Sequence, residues 1–154
     1  MASLAQLHNL ERLVIIEPLG PLHTDLSRLA RLPKLRELCI NAADLSECVW
    51  ESSDGCEHLT LVSFYNVEIG MASLRLIKSP GINVLDLNCT RIDDDTALEL
   101  VKQPKLEDLT LIETDISEFA LTRLSKEMRK RKRFEFRFAV KANEEPIVVT
   151  NKGQ

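Results

Sequence analysis

Apolar residues recur along this chain in one spaced figure, apolar-x-x-apolar-x-apolar, which suits a strand whose alternate side chains enter a core. The figure stands at Leu35, Leu38 and Ile40, at Leu59, Val62 and Phe64, at Ile82, Leu85 and Leu87, and at Leu106, Leu109 and Leu111. First residues of these copies are 24, 23 and 24 positions apart. An earlier copy, Leu10, Leu13 and Ile15, begins 25 positions upstream. A degenerate sixth, with Phe134 and Phe136 in its second and third apolar places, starts at Arg131, 25 positions downstream. A fixed period of this size marks stacked supersecondary units, so it governs every local assignment.

Between the strands a second pattern predicts one short helix per copy. Asp93, Asp94 and Asp95 suit a helix start, Ala97, Leu98, Leu100 and Val101 follow, and Pro104 stops the run. Thr24 to Leu32 and Ala72 to Lys78 read the same way, and Ser117 to Arg129 is the longest of the set. Ser46 to His58 is the exception: Ser52, Ser53, Asp54 and Gly55 break helical spacing, which predicts a looser loop around Trp50. Near the end, Phe134, Phe136 and Phe138 alternate, Asn143 to Pro146 reads as a turn, and Ile147 to Thr150 is expected to pair back as an antiparallel capping strand.

Each copy runs on to a further apolar residue, Leu45, Ile69, Ile92 or Ile116, preceded two positions earlier by Ala43, Val67, Thr90 or Thr114. With that addition residues 4–138 resemble the leucine-rich repeat family, in a bacterial type with repeats of about 24 residues, a Pro-Lys-Leu start and a Thr-x-Ile end. The resemblance implies an α/β solenoid with a parallel sheet on its concave side and short helices on its convex side. Residues 1–140 would form the solenoid, and 141–154 a turn, the capping strand and a flexible tail. The family's usual Asn at the ninth position is missing. Thr90 and Thr114 are expected to replace its ladder of hydrogen bonds weakly, whereas Ala43 and Val67 have no side-chain polar group to do so. Leu4 to Leu13 matches Leu29 to Leu38 position for position, so the chain opens midway through a repeat. The expectation is a fragment of a longer protein, with a first edge covered by another chain as the lesser option.

The resemblance also places partner binding on the concave face. The pleat turns the third, fifth and seventh residues of each copy outward. In the central copies these are Leu61, Ser63 and Tyr65, then Val84, Asp86 and Asn88, then Asp108, Thr110 and Ile112. Flanking them stand Arg12, Val14 and Ile16, Glu37, Cys39 and Asn41, and Arg133, Glu135 and Arg137. Apolar residues beside acid have the makeup of a protein interface, with Tyr65 as an anchor. The competing reading is that they make ordinary cross-strand contacts.

Composition sharpens this picture. Leu fills 25 of 154 positions while aromatic residues make up only 5%, so the core is aliphatic. Without an apolar run of 18 residues or a signal-peptide start, the chain is expected to be cytoplasmic with no membrane partner. Cys39, Cys48, Cys56 and Cys89 are spaced for neither a disulfide framework nor zinc. They read as small hydrophobes or inert thiols.

There is no H-E-x-x-H or G-x-S-x-G, the five Gly form no phosphate loop, and His8, His23 and His58 are scattered, which predicts a non-catalytic protein without cofactor or metal. The Asp93–Asp95 run is read as capping and not as a cation site. Lys126 to Arg133 carries six positive charges and one negative. It is read as a solvated helix end, with nucleic acid disfavoured for lack of interleaved aromatics. Of the net charge of −4, the residues outside that run hold −9, which favours a basic protein partner. Two other roles stay open: a small stand-alone inhibitor or antitoxin-like protein that neutralises a basic partner, and a nucleic-acid-associated protein using residues 126–133.

Overall fold

The computed structural model describes residues 7–16, 26–49, 56–139 and 145–151. Trp50, most of the loop expected around it, the first half of the turn expected at Asn143 to Pro146 and the expected tail at 152–154 lie outside them. Six strands run parallel in one sheet in chain order: β1 (Arg12–Ile16), β2 (Glu37–Asn41), β3 (Leu61–Tyr65), β4 (Val84–Asn88), β5 (Asp108–Ile112) and β6 (Phe134–Ala139). A seventh, β7 (Ile147–Asn151), pairs antiparallel with β6, as the C-terminal alternation predicts. Register follows the sequence period through the first five strands, Arg12 pairing with Glu37, then Leu61, Val84 and Asp108 in turn.

One face of this α/β sheet is sealed. Leu38, Val62, Leu85, Leu109 and Phe136 alternate with outward-facing residues and are fully buried, because each inward side chain meets its equivalents on both neighbouring strands. The crossover segments close over them through Leu32, Leu76, Ala97, Leu100, Leu121, Leu124 and Met128 in one continuous core. At the first edge the same inward places are less well covered: Leu13 and Ile15 are only partly buried, with β2 on one side alone.

Three helices occupy predicted crossovers: α1 (Met71–Ile77), α2 (Asp94–Leu100) and α3 (Glu118–Met128). The crossover before β2 is instead a 3-10 helix, Leu26–Arg31, long for its kind at six residues and ended ahead of Pro33. Among the described residues no helix is long and apolar enough to cross a membrane.

Two expectations need correction. Asp108 pairs with Glu135 and not with Arg133, so the sixth strand is displaced by two residues and Glu135, Arg137 and Ala139 take its outward places. The eleven residues of α3, against seven in α1 and α2, take up the extra length, and an even displacement keeps Phe136 inside. Second, Thr90 does not bridge neighbouring turns: its hydroxyl donates to the Asn88 carbonyl of its own copy at 3.1 Å. Backbone groups make the links between copies, including Glu68 N–H to Ala43 O at 3.0 Å and Leu45 N–H to Glu68 O at 2.9 Å.

Candidate functional site

Every strand that is followed by another parallel strand ends in the same backbone device where described. Ala42, Asn66, Cys89 and Glu113, each the residue after β2 to β5, have φ between 51° and 55°. None is glycine, although this left-handed region costs an ordinary residue roughly 1–2 kcal/mol. The turn holds because the first three donate their N–H to the next strand's last carbonyl: Ala42 to Tyr65 at 2.9 Å, Asn66 to Asn88 at 3.0 Å and Cys89 to Ile112 at 2.8 Å. These bonds fix the seventh position of each copy, and so fix Tyr65, Asn88 and Ile112 at one edge of the open face.

The nine predicted surface residues come together on that face. Leu61, Val84 and Asp108 form one row across three strands, and Ser63, Asp86 and Thr110 form the next. Tyr65 pairs with Asn88 in the third row. Leu61, Val84 and Ile112 are half-buried, and Tyr65 is 51% exposed. Thr110 differs from expectation. It is only 5% exposed, between Asp86 and Arg137 in register, and is closed to a partner's side chain.

Charge on the face is paired at its margins and unpaired at its centre. Arg12 Nε lies 3.4 Å from Glu37 Oε2, and Arg137 pairs with Glu135. Asp86 and Asp108 make no hydrogen bond or contact ion pair among the described residues. Loss of solvent is the main influence on Asp108 and pushes its carboxyl above the ordinary range, against the opposing pull of Arg137 and Arg133. Beside them Asn88 Oδ1 is shielded from water and accepts no hydrogen bond.

A side-chain chain missed in the sequence runs from Tyr65. Its hydroxyl bonds to Cys89, which holds it above its usual range, and Cys89 Sγ donates to Glu113 Oε2 at 3.1 Å. Burial, then Glu113, pushes the Cys89 thiol up, so it stays protonated near neutral pH and is a poor nucleophile. Cys56 is pushed up to about 12 by burial, and all four cysteines are free. The signal available was the eighth position of the copies, where Cys89 and Glu113 are 24 residues apart.

The carboxylate run divides its labour. Asp93 caps α2, accepting from Thr96 N–H at 2.8 Å. Asp94 instead accepts from the N–H and hydroxyl of Ser117, the N-cap of α3, at 2.8 and 2.5 Å, tying successive helix starts together. Among the described residues no group of three His, Cys, Asp or Glu side chains could hold a metal ion. No family model, curated protein or solved structure matches this chain.

The basic run is also divided. Lys130 pairs with Glu127. Arg131 turns inward, where its guanidinium donates to the carbonyls of Leu106 at 2.7 Å, Gln103 at 2.8 Å and Val101. That arrangement closes the C-terminal end of α2, where a cation suits exposed carbonyls.

Proposed function

We propose that this chain is a leucine-rich repeat solenoid that binds a basic protein partner on its concave face and performs no catalysis. Supporting the repeat reading are the parallel strands in chain order, with partner residues 25, 24, 23, 24 and 27 positions apart, and the identical left-handed turn after four of them. Residues 1–140 form the solenoid in this reading, and β7 serves as its C-terminal cap. Four free thiols suit a reducing cytoplasm.

The observation that carries the binding role is the unpaired central pair, Asp86 and Asp108, set among half-exposed Leu61, Val84 and Ile112. A lysine or arginine side chain meets both demands, laying its aliphatic stem on the apolar residues and its charge against the carboxylates. Asn88 Oδ1, an acceptor without a donor, adds a polar group that a partner's N–H would satisfy. Tyr65, exposed at the edge, supplies the aromatic anchor.

Affinity capture from native lysate tests this, with wild-type, Tyr65→Ala and Asp86→Asn baits compared by mass spectrometry. A partner rich in basic surface is expected to be retained by the wild type and depleted about tenfold or more by either variant, a loss of about 1.4 kcal/mol. Both variants are expected to keep the wild-type circular dichroism spectrum, because Tyr65 and Asp86 lie on the open face. Identical capture by all three baits would overturn the assignment of this face.

A further inference from the structure

A groove of about 550 Å³ opens where the strands begin, lined by Asn83, Lys105, Glu107, Arg131, Lys132 and Arg133 among others. Its charge is unbalanced. Lys105 and Lys132 are exposed and make no ion pair or hydrogen bond among the described residues. Arg133 reaches Glu107 only at 3.9 Å. Arg131 is the informative member: three backbone carbonyls hold its guanidinium, yet no carboxylate among the described residues pairs with it, and burial alone moves its pKa, downward. Three of its five N–H donors are used, so two remain. Four cations thus line the groove with one carboxylate, and one of them is held in place before any ligand arrives.

We propose that this groove binds a phosphate monoester carried on a protein segment, as in phosphoserine. A phosphate monoester near neutral pH carries about −1.5 to −2 charges and three strong acceptor oxygens. That matches a fixed guanidinium flanked by two mobile ammonium groups better than a single carboxylate does. The lining also disfavours nucleic acid. It includes no aromatic side chain on which a base could stack, and Glu107 opposes a continuous run of phosphates. The site is separate from the open face and does not rest on the partner assigned there.

Fluorescence anisotropy on the full chain provides the test, using a phosphoserine peptide library with neutral flanking residues, the matched serine peptides, inorganic phosphate and a single-stranded oligonucleotide as competitors. The phosphopeptides are expected to bind at least tenfold more tightly than their serine twins. That gap closes in the Lys105→Gln/Lys132→Gln double variant, whose substitutions are exposed and leave thermal melting unchanged, and persists in Tyr65→Ala. No dependence on the phosphate, or full binding by the double variant, overturns the site. Equal affinity for inorganic phosphate, or displacement by the oligonucleotide at a lower phosphate concentration, overturns the protein-borne source.

Discussion

Leu85 and Val84 are adjacent in β4, yet truncating them should have very different consequences. Leu85 is fully buried, flanked in register by Val62 and Leu109, while Val84 is half-exposed between Leu61 and Asp108. Leu85→Ala removes three carbons, worth about 2.4 kcal/mol at roughly 0.8 kcal/mol for each buried carbon. The space left between two fixed strands adds a cavity cost, which brings the total to about 3–5 kcal/mol. Val84→Ala removes two carbons already in partial contact with water, for about 1 kcal/mol or less. Urea denaturation followed by far-ultraviolet circular dichroism measures both, with the slope compared so that partial opening of the stack is detected as a reduced m-value. For a chain of this length the first variant should melt roughly 10 °C below the wild type. Equal costs for the two, or a Leu85→Ala cost below about 1 kcal/mol, would refute the assigned face and register.

Arg131→Gln should destabilise by about 2–4 kcal/mol, because three carbonyls lose a charged donor; a melt within 2 °C of wild type would contradict the inward placement. Ala42→Gly, at φ 51°, relieves backbone crowding at some entropic cost and should be neutral or stabilising by up to about 1 kcal/mol, whereas Ala42→Val should clearly destabilise; the reverse order in urea titration would contradict the turn. Asp108→Asn should raise the melting temperature at pH 7 and not at pH 3. The folded carboxyl is raised above its unfolded value, so its favourable contribution is complete below the unfolded pKa and lost as pH rises through the folded one. Equal shifts at both pH values would remove desolvation as the cause.

The sheet was legible because its period is written in side chains that must be inside: Leu35, Leu59, Ile82 and Leu106 are all at most 1% exposed. Helix starts were legible for a local reason, since Asp93 and Ser117 act on N–H groups three residues away. The sixth strand was misplaced because Phe134, Phe136 and Phe138 alternate, and a pattern of period two cannot distinguish displacements by two residues. Only the length of α3 decides the matter. Thr110 was misread because pleat direction fixes which face a residue joins and not how far its neighbours cover it. Arg131 was hidden for a different reason: five of its seven neighbours in the run are cations, and nothing local separates the one that turns toward carbonyls 25 to 30 residues away.

A net charge of −4 conceals an arrangement in which opposite signs face different directions. Unpaired Asp86 and Asp108 occupy the centre of the open face, and four cations line the groove at the strand starts. Arg133 lines the groove and from there draws the Asp108 carboxyl downward. An anion held against Arg133 would cancel part of that pull and raise the carboxyl further, which favours its neutral form. By linkage, protonating Asp108 would favour an anion at Arg133 by the same factor, and the effect fades as salt screens charges separated by more than about 10 Å near 0.1 M ionic strength.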